Sequence, residues 1–320
     1  MSFSLRSGKV MRRSQLVNLP NRSKQLEIIS LIRGSVLFII FFLPLVFING
    51  LQMLSLIVYP FSQNIFRAIN ISFASMVWSS MVFLMEKVNG IHISVVGDKI
   101  PKGENAVVDI NHQNVSDIPL MMKVALPTGR LGNLKFFAKD VVKYIPGPGW
   151  GCAFIDTIFV KRNWLSDKRT VDQTFQKFKD RKIPFWIVTF LEGTRLTPEK
   201  LARSQNFMRR RNMTVTKYVM APKTKGFIAS VSSLRKQLDA VYNLTIHYPD
   251  GVPTLWDLLN GSLRRVSIHV KRTPIEELPH EVSELENWVF DRYIEKDMLL
   301  SKLNDANSDS KTYNSLLSKL

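Results

Sequence analysis

From Gly34 to Phe61 the chain runs twenty-eight residues without a charged side chain, long enough to cross the roughly 30 Å hydrocarbon core of a bilayer as a helix. An uncharged run of that length rarely sits inside a soluble domain, so it restricts the fold more than any other stretch. A second uncharged segment, Ala68 to Met85, is richer in Ser and Asn and reads as amphipathic or interfacial. Upstream lies a basic arm, residues 1–33, in which Arg6, Lys9, Arg12, Arg13, Arg22, Lys24 and Arg33 outnumber the single acid Glu27. The arm is too long, and the apolar run too extended, for a simple cleaved signal peptide. Positive charge favours the cytoplasmic side, and the rest of the chain is basic too, so both ends belong there. A membrane-embedded helical hairpin over residues 34–87 satisfies that. It either crosses twice or re-enters one leaflet with a break near Pro44 or Asn49-Gly50.

Charge narrows the partners. Forty-four Lys and Arg against 26 Asp and Glu give a formal +18 in a chain that is 45% hydrophobic, which fits an anionic membrane lipid surface or a nucleic acid. Arg209-Arg-Arg211 prompts the second reading, a membrane-associated nucleic-acid-binding protein. The chain lacks the interleaved aromatic and basic platform that such proteins use, so no nucleic acid partner is expected. A non-catalytic lipid-binding protein is the other alternative. The one cysteine, Cys152, excludes an intramolecular disulfide, and five scattered histidines without a cysteine cluster argue against a metal site.

After Val88-Asn-Gly90 short β-rich runs alternate with helical stretches. Ile91–Val96, Ala106–Ile110, Leu134–Ala138, Cys152–Val160, Phe185–Phe190, Val215–Val219, Val241–Ile246 and Val266–Val270 read as strands. Ile118–Leu126, Asp167–Arg181, Phe227–Leu238 and Thr254–Leu259 read as helices. The alternation predicts an α/β fold, a mixed and partly parallel sheet flanked by helices, over residues 88–303. Glu281 to Leu303 closes that domain as a charged amphipathic helix. Residues 304–320, rich in Ser, Asn, Asp and Lys, read as a flexible tail.

The candidate chemical centre is the apolar run Val107–Ile110, followed by His112 and, five residues on, Asp117. Positions five apart on one helix point about 140° apart, so a helix cannot bring the two side chains together. A strand ending at Ile110, a turn, and a helix starting near Asp117 can. The carboxylate would then fix the imidazole tautomer and free the other ring nitrogen to take a proton from a hydroxyl. A plain turn with a helix cap uses the same residue types.

Three loops join this pair at strand ends. Phe190-Leu-Glu-Gly-Thr-Arg195 offers a glycine turn and a guanidinium suited to phosphate, with Glu192 placed to orient that guanidinium or to accept a substrate hydroxyl. Pro146-Gly-Pro-Gly-Trp-Gly leads to a strand ending in Lys161 and Arg162, where a ligand could approach the glycines and an anion the cations. Val219-Met-Ala-Pro-Lys-Thr-Lys-Gly-Phe227 places Pro222 and Lys223 behind a further strand.

These four segments in this order resemble the glycerolipid acyltransferases typified by lysophosphatidate acyltransferase (PlsC-like), whose first motif is Asn-His-x-x-x-x-Asp and third Glu-Gly-Thr-Arg. Residues 189–200, 221–227 and 240–246 look like the animal 1-acylglycerol-3-phosphate and lysocardiolipin branch. Tyr248 to Gly261 looks more like its bacterial, YihG-type members, which tilts the membrane toward a bacterial inner membrane over the endoplasmic reticulum. The resemblance implies the glycerol-3-phosphate acyltransferase αβ sandwich. It further implies transfer of an acyl group from acyl-CoA or acyl carrier protein, as co-substrate with no cofactor, to a lysophospholipid hydroxyl. His112 becomes the general base and Asp117 its orienting partner. Glu192, Gly193, Thr194 and Arg195 match the motif that binds the acceptor phosphate, and Pro222 and Lys223 match the fourth motif. Lys161 and Arg162 match the basic end of the second motif, but Phe154-Ile-Asp156 is followed here by Thr157 where the family usually carries arginine, so either cation could take that role.

Overall fold

The structure, a computed structural model, describes residues 24–161 and 163–320; most of the basic arm, residues 1–23, and Arg162 lie outside them. Two helices, α1 (Lys24–Leu54) and α2 (Gln63–Phe83), form an antiparallel hairpin. At its open end Arg33 donates to the Val88 carbonyl at 2.6 Å and to Asn89 Oδ1 at 2.8 Å. At its closed end Asn70 Nδ2 donates to Ser55 Oγ at 2.9 Å. The helix begins ten residues before the uncharged run, so Lys24–Arg33 are its first turns and not part of a separate arm. Both helices are long and apolar enough to cross a bilayer. Phe38, Ile39, Ile40, Leu43 and Phe47 are exposed on α1, which is what a lipid-facing side requires.

The remainder is built from β1 (His92–Gly97), β2 (Ala106–Ile110), α3 (Asp117–Ala125), β3 (Leu134–Lys139), α4 (Pro148–Ala153), β4 (Ile158–Val160), α5 (Trp164–Asp180), β5 (Trp186–Thr189) and α6 (Pro198–Arg210). It continues through α7 (Lys225–Leu234), β6 (Ala240–His247), α8 (Leu255–Asn260), β7 (Arg265–Pro274), α9 (Val282–Ala306) and α10 (Ser310–Leu317). The strands make one seven-stranded sheet in the order β1-β7-β6-β2-β5-β3-β4. Only β6 and β7 pair antiparallel, so the sheet is mixed and largely parallel, as the alternation predicts. Every residue of central β2 is buried, the mark of a strand covered on both faces. Val108 and Ile110 pack with Leu120, Met121 and Val124 of α3, whereas Val107 joins Phe175, Val231 and Val289 of α5, α7 and α9. The period of two thus feeds two cores, one on each side of the sheet.

Three elements differ from the expectation. Residues 152–160 are not one strand: Pro148–Ala153 wind into α4, and only Ile158–Val160 pair with β3. Val215–Val219 alternates like a strand but stays irregular. Its backbone groups go to side chains instead, with Lys217 and Tyr218 N–H donating to the Asp297 carboxylate and Thr216 Oγ1 to the Val219 carbonyl. Pro198–Arg210 forms an unexpected helix, with Thr197 as its side-chain cap and Pro198 at its first turn.

The polar tail is ordered. Asp309 caps α10, and Tyr313 is 3% exposed, with its hydroxyl 2.9 Å from His247 Nδ1 and 2.7 Å from Ser267 Oγ. One buried aromatic with two polar partners anchors a segment whose average composition is that of a solvated linker. Burial pushes His247 down to about 4. The unfolded chain therefore binds the proton first, so this neutral contact stabilises fully above about pH 6.5 and is lost as pH falls toward 4, a change of about 3 kcal/mol. Denaturant midpoints in detergent should fall more steeply between pH 6.5 and 4 for the unaltered protein than for His247→Gln; parallel curves would refute the assignment.

Candidate active site

The ends of the parallel strands deliver the chemistry, as is general for open α/β sheets. Asn111 closes β2 by imitating a ladder partner: its Nδ2 donates to the Ile246 carbonyl at 3.0 Å and its Oδ1 accepts from Ile246 N–H at 2.8 Å. The next residue, His112, therefore leaves the sheet at a fixed point. Its N–H donates to Glu192 Oε1 and its carbonyl accepts from Leu196 N–H, both at 2.8 Å. The backbone of the imidazole-bearing residue is thus clamped to the loop after β5.

Asp117, the first residue of α3, is fully buried. Its Oδ2 accepts from His112 Nδ1 at 3.0 Å and from the N–H groups of Gln113 and Asn114 at 2.7 and 2.9 Å. The turn-and-cap reading and the orienting reading describe one carboxylate performing both tasks. Its other oxygen, Oδ1, accepts from the Tyr248 hydroxyl. Burial, and then the charge of Asp117, push Tyr248 well above its ordinary value, so it stays a neutral donor. With Nδ1–H committed to Asp117, the lone pair lies on Nε2. Among the described residues none bonds Nε2. The imidazole side chain is 13% exposed and lies against Phe190, ring centroids 4.1 Å apart.

The Phe190–Arg195 loop turns at Gly193, which adopts φ +70°, and Gly193 N–H closes the turn onto the Phe190 carbonyl at 2.8 Å. A Cβ there would stand 2.8 Å from Lys223 Cδ and 2.9 Å from its Nζ, so glycine is required both by the backbone and by the lysine lying across it. Lys223 N–H donates to the Leu191 carbonyl at 2.7 Å, which joins the Pro222-Lys223 segment to the same loop. Lys200 of α6 reaches back, its Nζ donating to Thr194 Oγ1 at 2.8 Å and the Arg195 carbonyl at 3.1 Å. Arg195 itself is exposed. Three cations thus gather at the loop that clamps His112, an arrangement suited to a phosphate.

Not every predicted residue does what its type suggests. Glu192 neither orients Arg195 nor awaits a hydroxyl: it is 3% exposed, and its second oxygen accepts from Met220 N–H at 3.0 Å. It staples the loops carrying His112, Arg195 and Lys223 together. Burial pushes its carboxyl up to about 8, against the opposing pull of those two N–H donors.

Helix α1 approaches the glycine-rich segment, where Gly147 N–H donates to Asn49 Oδ1 at 2.9 Å. Asp156 binds Arg67 of α2 at 3.3 Å and also Lys177 of α5, tying the helices of both faces to β4. Lys161 is exposed, no bond joins it to His112 or Arg195, and Arg162 is outside the described residues. Residue types alone did not single out Tyr248, Asn111 or Lys200, although Thr197-Pro198 carries the signal for the helix that presents Lys200.

Beneath the site lies a second polar cluster. Asp109 Oδ2 pairs with Lys296 Nζ of α9 at 2.9 Å, and Asp109 Oδ1 accepts from Tyr293 at 3.1 Å and Leu191 N–H at 3.4 Å. Helix α9 is thereby locked to β2, the strand that leads to His112.

Comparison with known proteins follows this geometry. The sequence matches the Acyltransferase family over residues 92–237 and the family described as Acyltransferase C-terminus over residues 257–314. It is 32% identical over 272 residues to 1-acyl-sn-glycerol-3-phosphate acyltransferase 2 of Brassica napus, covering 82% of this chain and 70% of that one. It is likewise 32% identical over 256 residues to human 1-acyl-sn-glycerol-3-phosphate acyltransferase delta, covering 78% and 68%. The crystal structure of the 1-acyl-sn-glycerophosphate acyltransferase PlsC from Thermotoga maritima has the same fold, with a TM-score of 0.53 at 19% identity over 85% of this chain and 97% of that one.

Removing one member of a buried ion pair strands the other charge, at a cost of about 3–5 kcal/mol. Lys296→Met should lower the unfolding free energy by that order, and Asp109→Asn/Lys296→Met should recover most of it. A double variant as unstable as the single one would contradict the pairing.

Proposed function

We propose, from the premise that the chain belongs to the acyltransferase family and is an O-acyltransferase, that it transfers a fatty acyl group from a thioester to the free hydroxyl of lysophosphatidate or a related lysophospholipid. The observation that carries this reading is His112, whose Nδ1 is bound to buried Asp117 while Nε2 stands open beside the cationic 190–195 loop.

A lipid hydroxyl is a weak nucleophile at neutral pH. His112 Nε2 takes its proton as the oxygen attacks the thioester carbonyl carbon, and the carbon–sulfur bond then breaks. The proton passes from the imidazolium to the departing thiolate, so atoms and charge balance without a metal, a cofactor or a covalent enzyme intermediate. Asp117, itself held by Tyr248, fixes the ring so that Nε2 faces the hydroxyl. Arg195 and Lys223 would grip the acceptor phosphate and fix the hydroxyl at Nε2, where positioning lowers the barrier by several kcal/mol. Cys152 is unsuited to an acyl-enzyme route, since burial pushes its thiol up to about 11. The donor is acyl-CoA or acyl carrier protein. The hairpin would hold the domain at the cytoplasmic face of the membrane, where both amphiphilic substrates reside.

His112→Ala should keep its membrane association in vesicle flotation and lose acyl transfer by a factor of about 10² to 10⁴, assayed with lysophosphatidate and acyl thioesters by mass spectrometry. Turnover retained at the unaltered rate would overturn the mechanism.

A further inference from the structure

Helix α6 leaves the 190–195 loop with an asymmetric surface. Ser204, Gln205 and Met208 face inward: Ser204 Oγ accepts from Ala221 N–H at 2.8 Å, Gln205 Nε2 donates to the Thr216 carbonyl at 2.9 Å, and Met208 is buried. The other face carries Lys200, Arg203, Phe207 and Arg210 at spacings of three and four, continued by Arg211 just past the helix end. Among the described residues, no salt bridge joins any of the four cations in that stripe to a carboxylate. Phe207 is 42% exposed, with the Arg211 guanidinium 4.7 Å from its ring centroid.

The geometry points to this face as the docking track for the phosphorylated nucleotide end of acyl-CoA, an inference that rests on the thioester-dependent acyl transfer proposed above. The track starts at the reaction loop, where Lys200 touches Thr194 and the Arg195 carbonyl. From Lys200 to Arg210 it rises about 15 Å along the helix. That is beyond the reach of a glycerol phosphate held at Arg195 and in keeping with a pantetheine arm separating thioester from diphosphate. Guanidinium groups suit phosphates, and a half-exposed ring among them suits stacking by an adenine. One helix face is narrow for a carrier protein, which needs about 800 Å² on each partner. A lipid surface fits less well, because the segment after α6 bonds to α9 through Lys217 and Asp297, while the hairpin packs with α3 on the other side of the sheet.

Exposed ion contacts contribute modestly each, so reversing two should raise the KM for acyl-CoA about tenfold. The test compares the unaltered protein, Arg203→Glu/Arg210→Glu and Arg203→Lys/Arg210→Lys with acyl-CoA and with the matching acyl-pantetheine thioester, which lacks the nucleotide. The expected result is a KM rise for acyl-CoA alone in the glutamate variant, largely restored by lysine, with an unchanged KM for acyl-pantetheine reporting an intact site. Equal effects on both donors, or no effect on either, would overturn the docking track. An unaltered protein inactive with every thioester would overturn the parent reading instead.

Discussion

The carboxylate of Asp117 is the contact on which the site depends. It is fully buried yet meets four donors: the imidazole of His112, the N–H groups of Gln113 and Asn114, and the Tyr248 hydroxyl. An ionised carboxylate away from water is tolerated only when its lone pairs are satisfied, so the turn, the start of α3 and the segment after β6 must all be in place together. That requirement couples the first half of the sheet to the second. It also fixes which imidazole nitrogen is free, and so converts a fold constraint into a chemical one.

A second buried acid ties distant loops in the same way. Glu192 takes N–H groups from His112 and Met220, residues 80 and 28 positions away. Asp109 then ties the strand before His112 and the start of the Leu191 loop to Lys296 and Tyr293 on α9. Three acids, each in a different loop or strand end, thus hold the candidate site from behind while the cations stand in front. The hairpin is keyed to the same body. Asn89 donates to the Leu258 and Leu259 carbonyls, Arg33 holds Asn89, and the absence of a Cβ on Gly34 lets α1 approach the Trp256 ring. The apolar hairpin and the α/β body are therefore packed together.

Much of this was legible in the sequence. The central strands were readable because β2, β5 and β6 are short, mostly apolar runs, the pattern of a sheet covered on both faces. Helix geometry excludes only a single helix for His112 and Asp117, and spacing alone suits a plain turn and cap; the pairing is legible through the resemblance carried by the four loops together. The illegible parts depend on distant partners. Glu192 beside Arg195 looks like an ion pair, and nothing local announces the two remote N–H groups that claim it. Tyr248 lies 131 positions from Asp117. The distant Asp297 carboxylate claims N–H groups of the strand-like Val215–Val219, and the tail's polar composition hides Tyr313, whose burial seats α10. The glycines at 147–151 suggest room for a ligand, whereas Gly147 and Gly151 admit side chains of α1 and Gly149 admits the Val142 carbonyl.

In the proposed reaction the Nε2 atom of His112 and the cations at the 190–195 loop address opposite ends of one lysophospholipid headgroup. A structure with lysophosphatidate bound, in the absence of an acyl donor, tests this most directly. The account predicts the free hydroxyl within about 3 Å of His112 Nε2 and the phosphate against Arg195 and Lys223. A headgroup seated elsewhere, with Nε2 facing no hydroxyl, would contradict it.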